Sequence, residues 1–151
     1  MRLGSLARPE LIFPDLPGTD RAGVLHALAE RIAGQGLTLN AVDLYQKLLE
    51  REQLGSTGIG AGIAIPHCKL TGLKRGVLAI GLVPQGVDFG AADGQAVKVF
   101  FLIVSPSESP SEHLQALSAI SRWVKADRHA ERLLALHDAE AVYDFLQEEE
   151  G

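Results

Sequence analysis

Helix-period patterns on both sides of a few short apolar runs predict an α/β layered domain. Three observations carry this expectation. Apolar residues recur at helical spacing after Asp20 and again after Asn40. Val97 to Val104 is apolar at every position but Lys98, the pattern of a central strand covered on both faces. Ser109-Pro110, with Glu112 shortly after, marks the start of a helix.

From the N-terminus, Leu11-Ile12-Phe13 reads as a short strand closed by Pro14 and Pro17. The first helix begins near Asp20, places Val24, Leu25, Leu28, Ala29 and Ile32 on one face, and stops at Gly34 or Gly36. Asn40 is the N-cap of a second helix, with Val42, Tyr45, Leu48 and Leu49 facing inward. That helix delivers Arg51 to the edge of a glycine-rich loop. Beyond the loop, Ile63-Ala64-Ile65 is a short β-rich run, and Pro66 fixes the chain direction just before His67.

Gly76 to Pro84 reads as a strand, Gln85-Gly86 as a turn, and Val87-Asp88-Phe89 as a short returning strand. Ala92-Asp93-Gly94-Gln95 is a second turn, within which Asp93 binds locally. Ser105 to Pro110 is expected to be an exposed loop after the central strand. Ser109 then caps a helix, with Pro110 first and Glu112 third to complete a capping box. His113 falls in its first turn, and Leu114, Leu117, Ile120 and Val124 form the buried stripe. Asp127 caps a short helix carrying Leu133 and Leu134. Asp138 caps a last one carrying Val142, Phe145 and Leu146, and Glu148-Glu149-Glu150 is a solvated tail.

The 151 residues suffice for one domain with a sizeable core. A hydrophobic fraction of 46% and a charged fraction of 22% are those of an ordinary globular chain. The net charge of −5, with no basic run, argues against non-specific nucleic-acid or acidic-membrane binding. Met1 to Pro9 lacks the apolar core of a secretory signal, and no stretch approaches the ~20 apolar residues of a membrane span. The single cysteine, Cys68, rules out an internal disulfide and fits a reducing cytoplasm. No Cys-x-x-Cys, His-x-x-x-His or acidic cluster suggests zinc or calcium.

The chemistry concentrates between Gly55 and Lys69, Gly-Ser-Thr-Gly-Ile-Gly-Ala-Gly-Ile-Ala-Ile-Pro-His-Cys-Lys. Gly55, Gly58, Gly60 and Gly62 leave amides uncovered, and Ser56 and Thr57 add hydroxyl donors, so the stretch suits an anion. The spacing also suits a plain turn. It fits the first part of a P-loop, but Ala61-Gly62 stand where Lys-Ser/Thr belongs, and Ile63 replaces the third glycine of a dinucleotide loop. An imidazole beside such a loop suggests phosphate chemistry with histidine as nucleophile. Taken alone, His113 also reads as a surface histidine at a helix start, and Arg51 as a solvated charge in Glu50-Arg51-Glu52.

The run from Arg51 to Leu70, together with Asp93-Gly94-Gln95 and His113-Leu114-Gln115-Ala116-Leu117, resembles the signature of enzyme IIA domains of the phosphotransferase system. The similarity is to the fructose/mannitol class (type 2), and in particular to the nitrogen-regulatory IIA proteins. It implies a mixed central sheet flanked by helices, with residues 1–151 as a single IIA domain. It implies His67 as phospho-acceptor, His113 beside it, Arg51 as a supporting cation, and no cofactor. The glycine loop (Ser56, Thr57, Gly58, Gly60) would then bind the phosphate, without a metal.

The partners it implies are HPr or an HPr-like nitrogen-branch carrier, with enzyme IIB or regulatory targets such as sensor kinases and transporters downstream. Ile59, Ile63 and Leu70 would form a docking rim. Cys68 stands where many relatives carry a small residue such as glycine, and it reads as a small filler rather than a partner of His67. A chain that ends shortly after the domain leads one to expect a free-standing regulatory protein rather than a fused transporter, with a separate fructose-type uptake component or a purely regulatory protein-binding module as the alternatives.

Overall fold

A computed structural model describes residues 2–37, 39–126 and 128–148. Its helices are α1 (Leu3–Leu6), α2 (Arg21–Ala33), α3 (Ala41–Gln53), α4 (Pro110–Lys125), α5 (His129–Leu134) and α6 (Ala139–Glu148). Its strands are β1 (Ile12–Phe13), β2 (Gly58–Gly60), β3 (Ile63–Ala64), β4 (His67–Leu70), β5 (Val77–Val87) and β6 (Val97–Pro106). The sheet order is β1-β5-β6-β3-β2, with β4 also paired to β6. It is mixed, as expected: β5 runs antiparallel to β6, while β3 and β4 run parallel to it.

Strand β6 is the spine. Its alternation sends Phe100, Leu102 and Val104 into one core and Val99, Phe101 and Ile103 into the other. Helices α2 and α3 cover the first face with Val24, Leu25, Leu28, Leu44 and Leu48. Helices α1, α4, α5 and α6 cover the second through residues such as Leu3, Ile120, Leu133 and Leu146. Each fully buried Phe or Leu side chain stabilises the fold by about 1.5–3 kcal/mol, so the near-continuous apolar run is explained by two-sided burial.

The pairing of β6 with the loop region positions the site. Ile63 and Ala64 lie opposite Val99 and Phe100, and His67 to Leu70 lie opposite Ile103 to Pro106, in one continuous register. Ile65-Pro66 interrupts the strand without shifting it, because Pro66 lacks an N–H but its carbonyl still accepts from Ile103 N–H at 3.0 Å.

Several expectations need correction. The four residues of α1 carry no strong sequence signal, and Leu3 is buried. Gln85-Gly86 does not reverse the chain; β5 continues through it with a register shift between Leu82 and Val87. Gly86 sits at φ +83°, and a Cβ there would lie 2.8 Å from the Ala96 methyl, so a bulge takes the place of a turn.

In α3 the buried line is Leu44, Leu48 and Glu52, with Tyr45 and Leu49 packed beside it as expected, whereas Val42 is exposed. In α4 the buried face includes His113, Ala116, Ile120, Trp123 and Val124, while Leu114 points outward. Ser109 occupies the N-cap position but makes no side-chain cap hydrogen bond. Ser105 and Pro106 belong to β6 and are buried, so the exposed loop starts later. Asp20, Asn40 and Asp138 do cap their helices. The Asp127 cap and the Glu149-Glu150 tail lie outside the described residues.

Candidate functional site

His67 opens β4 on the edge of β6. Strand alternation turns its neighbour Cys68 into the α2–α3 core and leaves His67 on the α4 side, so the two do not form a nucleophilic pair. Burial pushes the Cys68 thiol up to about 12, which suits a packing role.

The His67 ring is held from both nitrogens. Nδ1 lies 2.8 Å from the Ile65 carbonyl oxygen, which can only accept, so Nδ1 carries the proton and Nε2 the lone pair. Arg51, in the last turn of α3, donates from Nε to His67 Nε2 at 3.2 Å and from Nη1 to the Gly55 carbonyl at 2.8 Å. One guanidinium thus ties the helix end, the start of the glycine loop and the imidazole together.

His113 arrives from α4, with its ring centroid 5.4 Å from that of His67 and the planes 55° apart. Its Nδ1 lies 2.6 Å from Ser105 Oγ near the end of β6. The crossover from β6 into α4 therefore returns an imidazole to the edge where β4 is paired. Burial, opposed by the Ile65 hydrogen bond and reinforced by the Arg51 charge, lowers the His67 pKa below its ordinary value. Burial, with His67 and Lys69 nearby, brings His113 down to about 4. Both rings are neutral near pH 7.

They open onto a cleft of about 750 Å³ whose walls include Lys47, Arg51, Leu54, His67, Lys69, His113 and Leu114. A neutral nucleophilic nitrogen, a planar cation and two lysines suit an incoming dianion.

The loop behaves differently from expectation. Ser56, Thr57, Gly58 and Gly60 do not line this cleft, and the hydroxyls of Ser56 and Thr57 and the amides of Thr57 and Gly58 are used to build the loop. Ser56 Oγ donates to the Phe89 carbonyl at 2.9 Å and accepts from Gly58 N–H at 3.0 Å. Thr57 is buried, and both its amide and its hydroxyl bond the carboxylate of Glu52. The Ala61 amide bonds Asp93 at 3.0 Å. Gly58 is required sterically, since a Cβ there would meet the Ala91 methyl at 2.8 Å.

Glu52 was missed by sequence reasoning, although it continues the Leu44–Leu48 spacing by one more turn. The docking rim is also revised. Ile63 is buried in the core, Ile59 is exposed but, like Leu70, does not line the cleft, and Leu54 and Leu114, at 85% and 67% exposure, flank it together with Leu117.

A two-sided mixed sheet with paired histidines at one edge defines a domain class that comparison with known proteins identifies. Residues 5–149 match the family described as "Phosphoenolpyruvate-dependent sugar phosphotransferase system, EIIA 2", and the chain belongs to it. Within that family it is 34% identical to a nitrogen regulatory protein of Pseudomonas aeruginosa over 97% of this chain and 95% of that one. It is 33% identical to the fructose-specific EIIA component of Haloferax volcanii, over 92% and 90% of the two chains. Its fold matches the crystal structure of nitrogen regulatory protein IIA-Ntr from Neisseria meningitidis with a TM-score of 0.87 and 28% identity, over 95% and 98% of the chains.

Proposed function

We propose that the protein is a phosphohistidine carrier in which His67 Nε2 is the acceptor atom. The observation that carries this reading is the tether of Nδ1 to the Ile65 carbonyl, which leaves Nε2 as the lone-pair nitrogen in a cationic cleft. The donor is a phosphohistidine carrier of the HPr type. A bond forms between Nε2 and phosphorus as the donor's N–P bond breaks, and the electron pair of the broken bond stays on the donor's ring. Arg51 moves from Nε2 to the phosphoryl oxygens, and His113 meets the group from the other side. Ser56, Thr57, Gly58 and Gly60 contribute by fixing the loop rather than by touching the phosphate.

Radiolabelled transfer from phosphorylated HPr or its nitrogen-branch counterpart tests this: wild type accepts label and His67→Ala does not. Equal labelling of both would refute it.

The regulatory branch is favoured by the likeness to nitrogen regulatory proteins over almost the whole chain. In this reading the phosphate on His67 switches contacts with targets such as sensor kinases or transporters by adding charge at the Leu54–Leu114 rim. The second reading, donation to enzyme IIB in fructose uptake, rests on the Haloferax likeness. Pull-downs with unmodified and phosphorylated protein separate them: partners that change with phosphorylation support the switch, and identical sets count against it. Both readings place the chain in the cytoplasm as one IIA domain; none of the described helices is long and apolar enough to cross a membrane.

A further inference from the structure

Ser105 sits at the end of β6, opposite Lys69, with only 3% of its surface exposed. Among the described residues its hydroxyl makes one hydrogen bond, 2.6 Å to Nδ1 of His113, itself 5% exposed. The direction of that bond follows from donor accounting. If His113 donated from Nδ1, the buried hydroxyl proton would have no acceptor. If Ser105 donates, its proton and the Nδ1 lone pair are both satisfied, and only a spare oxygen lone pair is left. A buried unsatisfied donor is the costlier defect.

We infer that Ser105 is a positioning residue that locks neutral His113 into its Nε2–H tautomer, so that the ring turns a hydrogen-bond donor toward the cleft it shares with His67. The consequence for transfer rests on the carrier reading above. A donor at Nε2 meets phosphoryl oxygens, whereas the other tautomer would present a lone pair and repel them. His67 needs no such device, because the Ile65 carbonyl already fixes its tautomer. The Ile65 carbonyl and the Ser105 hydroxyl thus set opposite tautomers on the two rings: a lone pair on His67 to attack, and a proton on His113 to stabilise.

The test combines histidine-selective ¹⁵N NMR with transfer kinetics. In wild type at neutral pH, His113 is expected to show an unprotonated Nδ1 and a protonated Nε2. Ser105→Ala should mix the tautomers and slow acceptance from a radiolabelled HPr-type donor roughly threefold to tenfold, with Ser105→Thr restoring both.

A proton on His113 Nδ1 in the wild-type protein overturns the inference whether or not the variants fold. So does a Ser105→Ala protein with unchanged tautomer and rate. Failure of wild type to accept any label overturns the carrier reading instead and leaves the tautomer measurement decisive for Ser105.

Discussion

Burial decides the protonation of both imidazoles, and a single guanidinium decides how His67 is aimed. Arg51 spans His67 Nε2 and the Gly55 carbonyl with two different nitrogens, geometry that a lysine's single ammonium cannot reproduce. Arg51→Lys should therefore slow label uptake about 10-fold or more while leaving the melting temperature close to wild type. Uptake at the wild-type rate would remove Arg51 from the site. His67 and Arg51 were legible in the sequence because the long run from Arg51 to Leu70 is so specific. Ser105 was not, since a Ser-Pro-Ser stretch reads as loop until β6 is seen to extend through it. The partners of the Ser56 and Thr57 hydroxyls were equally hidden, as nothing local predicts that Phe89 and Glu52 claim them.

At the scale of elements, caps and helix phase set the outcome. Asn40 Oδ1 accepts from the amides of Val42 and Asp43, whereas Ser109 makes no comparable bond. By urea denaturation, Asn40→Ala should cost about 1 kcal/mol and Ser109→Ala under about 0.5 kcal/mol. Equal costs would contradict the cap geometry.

The inward stripe of α3 shows why pattern reading partly failed there. Of the apolar face Val42, Tyr45, Leu48 and Leu49, Tyr45 and Leu49 pack at the margin of the core and Val42 is exposed, while the fully buried line is Leu44, Leu48 and Glu52, rotated so that it ends in a carboxylate. That rotation lets Glu52 hold Thr57 at the mouth of the loop while Arg51, one residue earlier, reaches His67. Glu52→Ala leaves the buried amide and hydroxyl of Thr57 without their acceptor and should destabilise by about 2–4 kcal/mol. A loss below about 0.5 kcal/mol would show that the loop does not depend on this clamp.

Across the whole molecule, the site exists because one strand serves two cores and one edge. β6 aligns β3 and β4 in a single register, and α4 folds back from its end, so residues 67 and 113 meet. The layered class and the central strand were legible because two-sided burial forces a long apolar run. The β5 bulge was not, because Gly86 signals a positive φ equally well in a turn.

The buried neutral rings also give stability a pH dependence. The folded pKa of His113, about 4, lies below the unfolded value near 6.5, and that of His67 is shifted the same way. Between those limits the unfolded chain binds more protons, so this contribution is complete above pH 6.5 and is lost as pH falls toward 4. The slope is at most about 1.4 kcal/mol per pH unit from each ring. His113→Gln should flatten the profile in that window, and an unaltered profile would mean that His113 is not held neutral by the fold.

The central claim is that the Ile65 tether leaves Nε2 of His67 as the nucleophile. Phosphorylating the ¹⁵N-histidine-labelled protein and locating the phosphorus–nitrogen coupling by NMR tests it most directly. The account predicts a single phosphohistidine, at Nε2 of His67, with Nδ1 still protonated. Phosphate on Nδ1 of His67, or on His113, would contradict it.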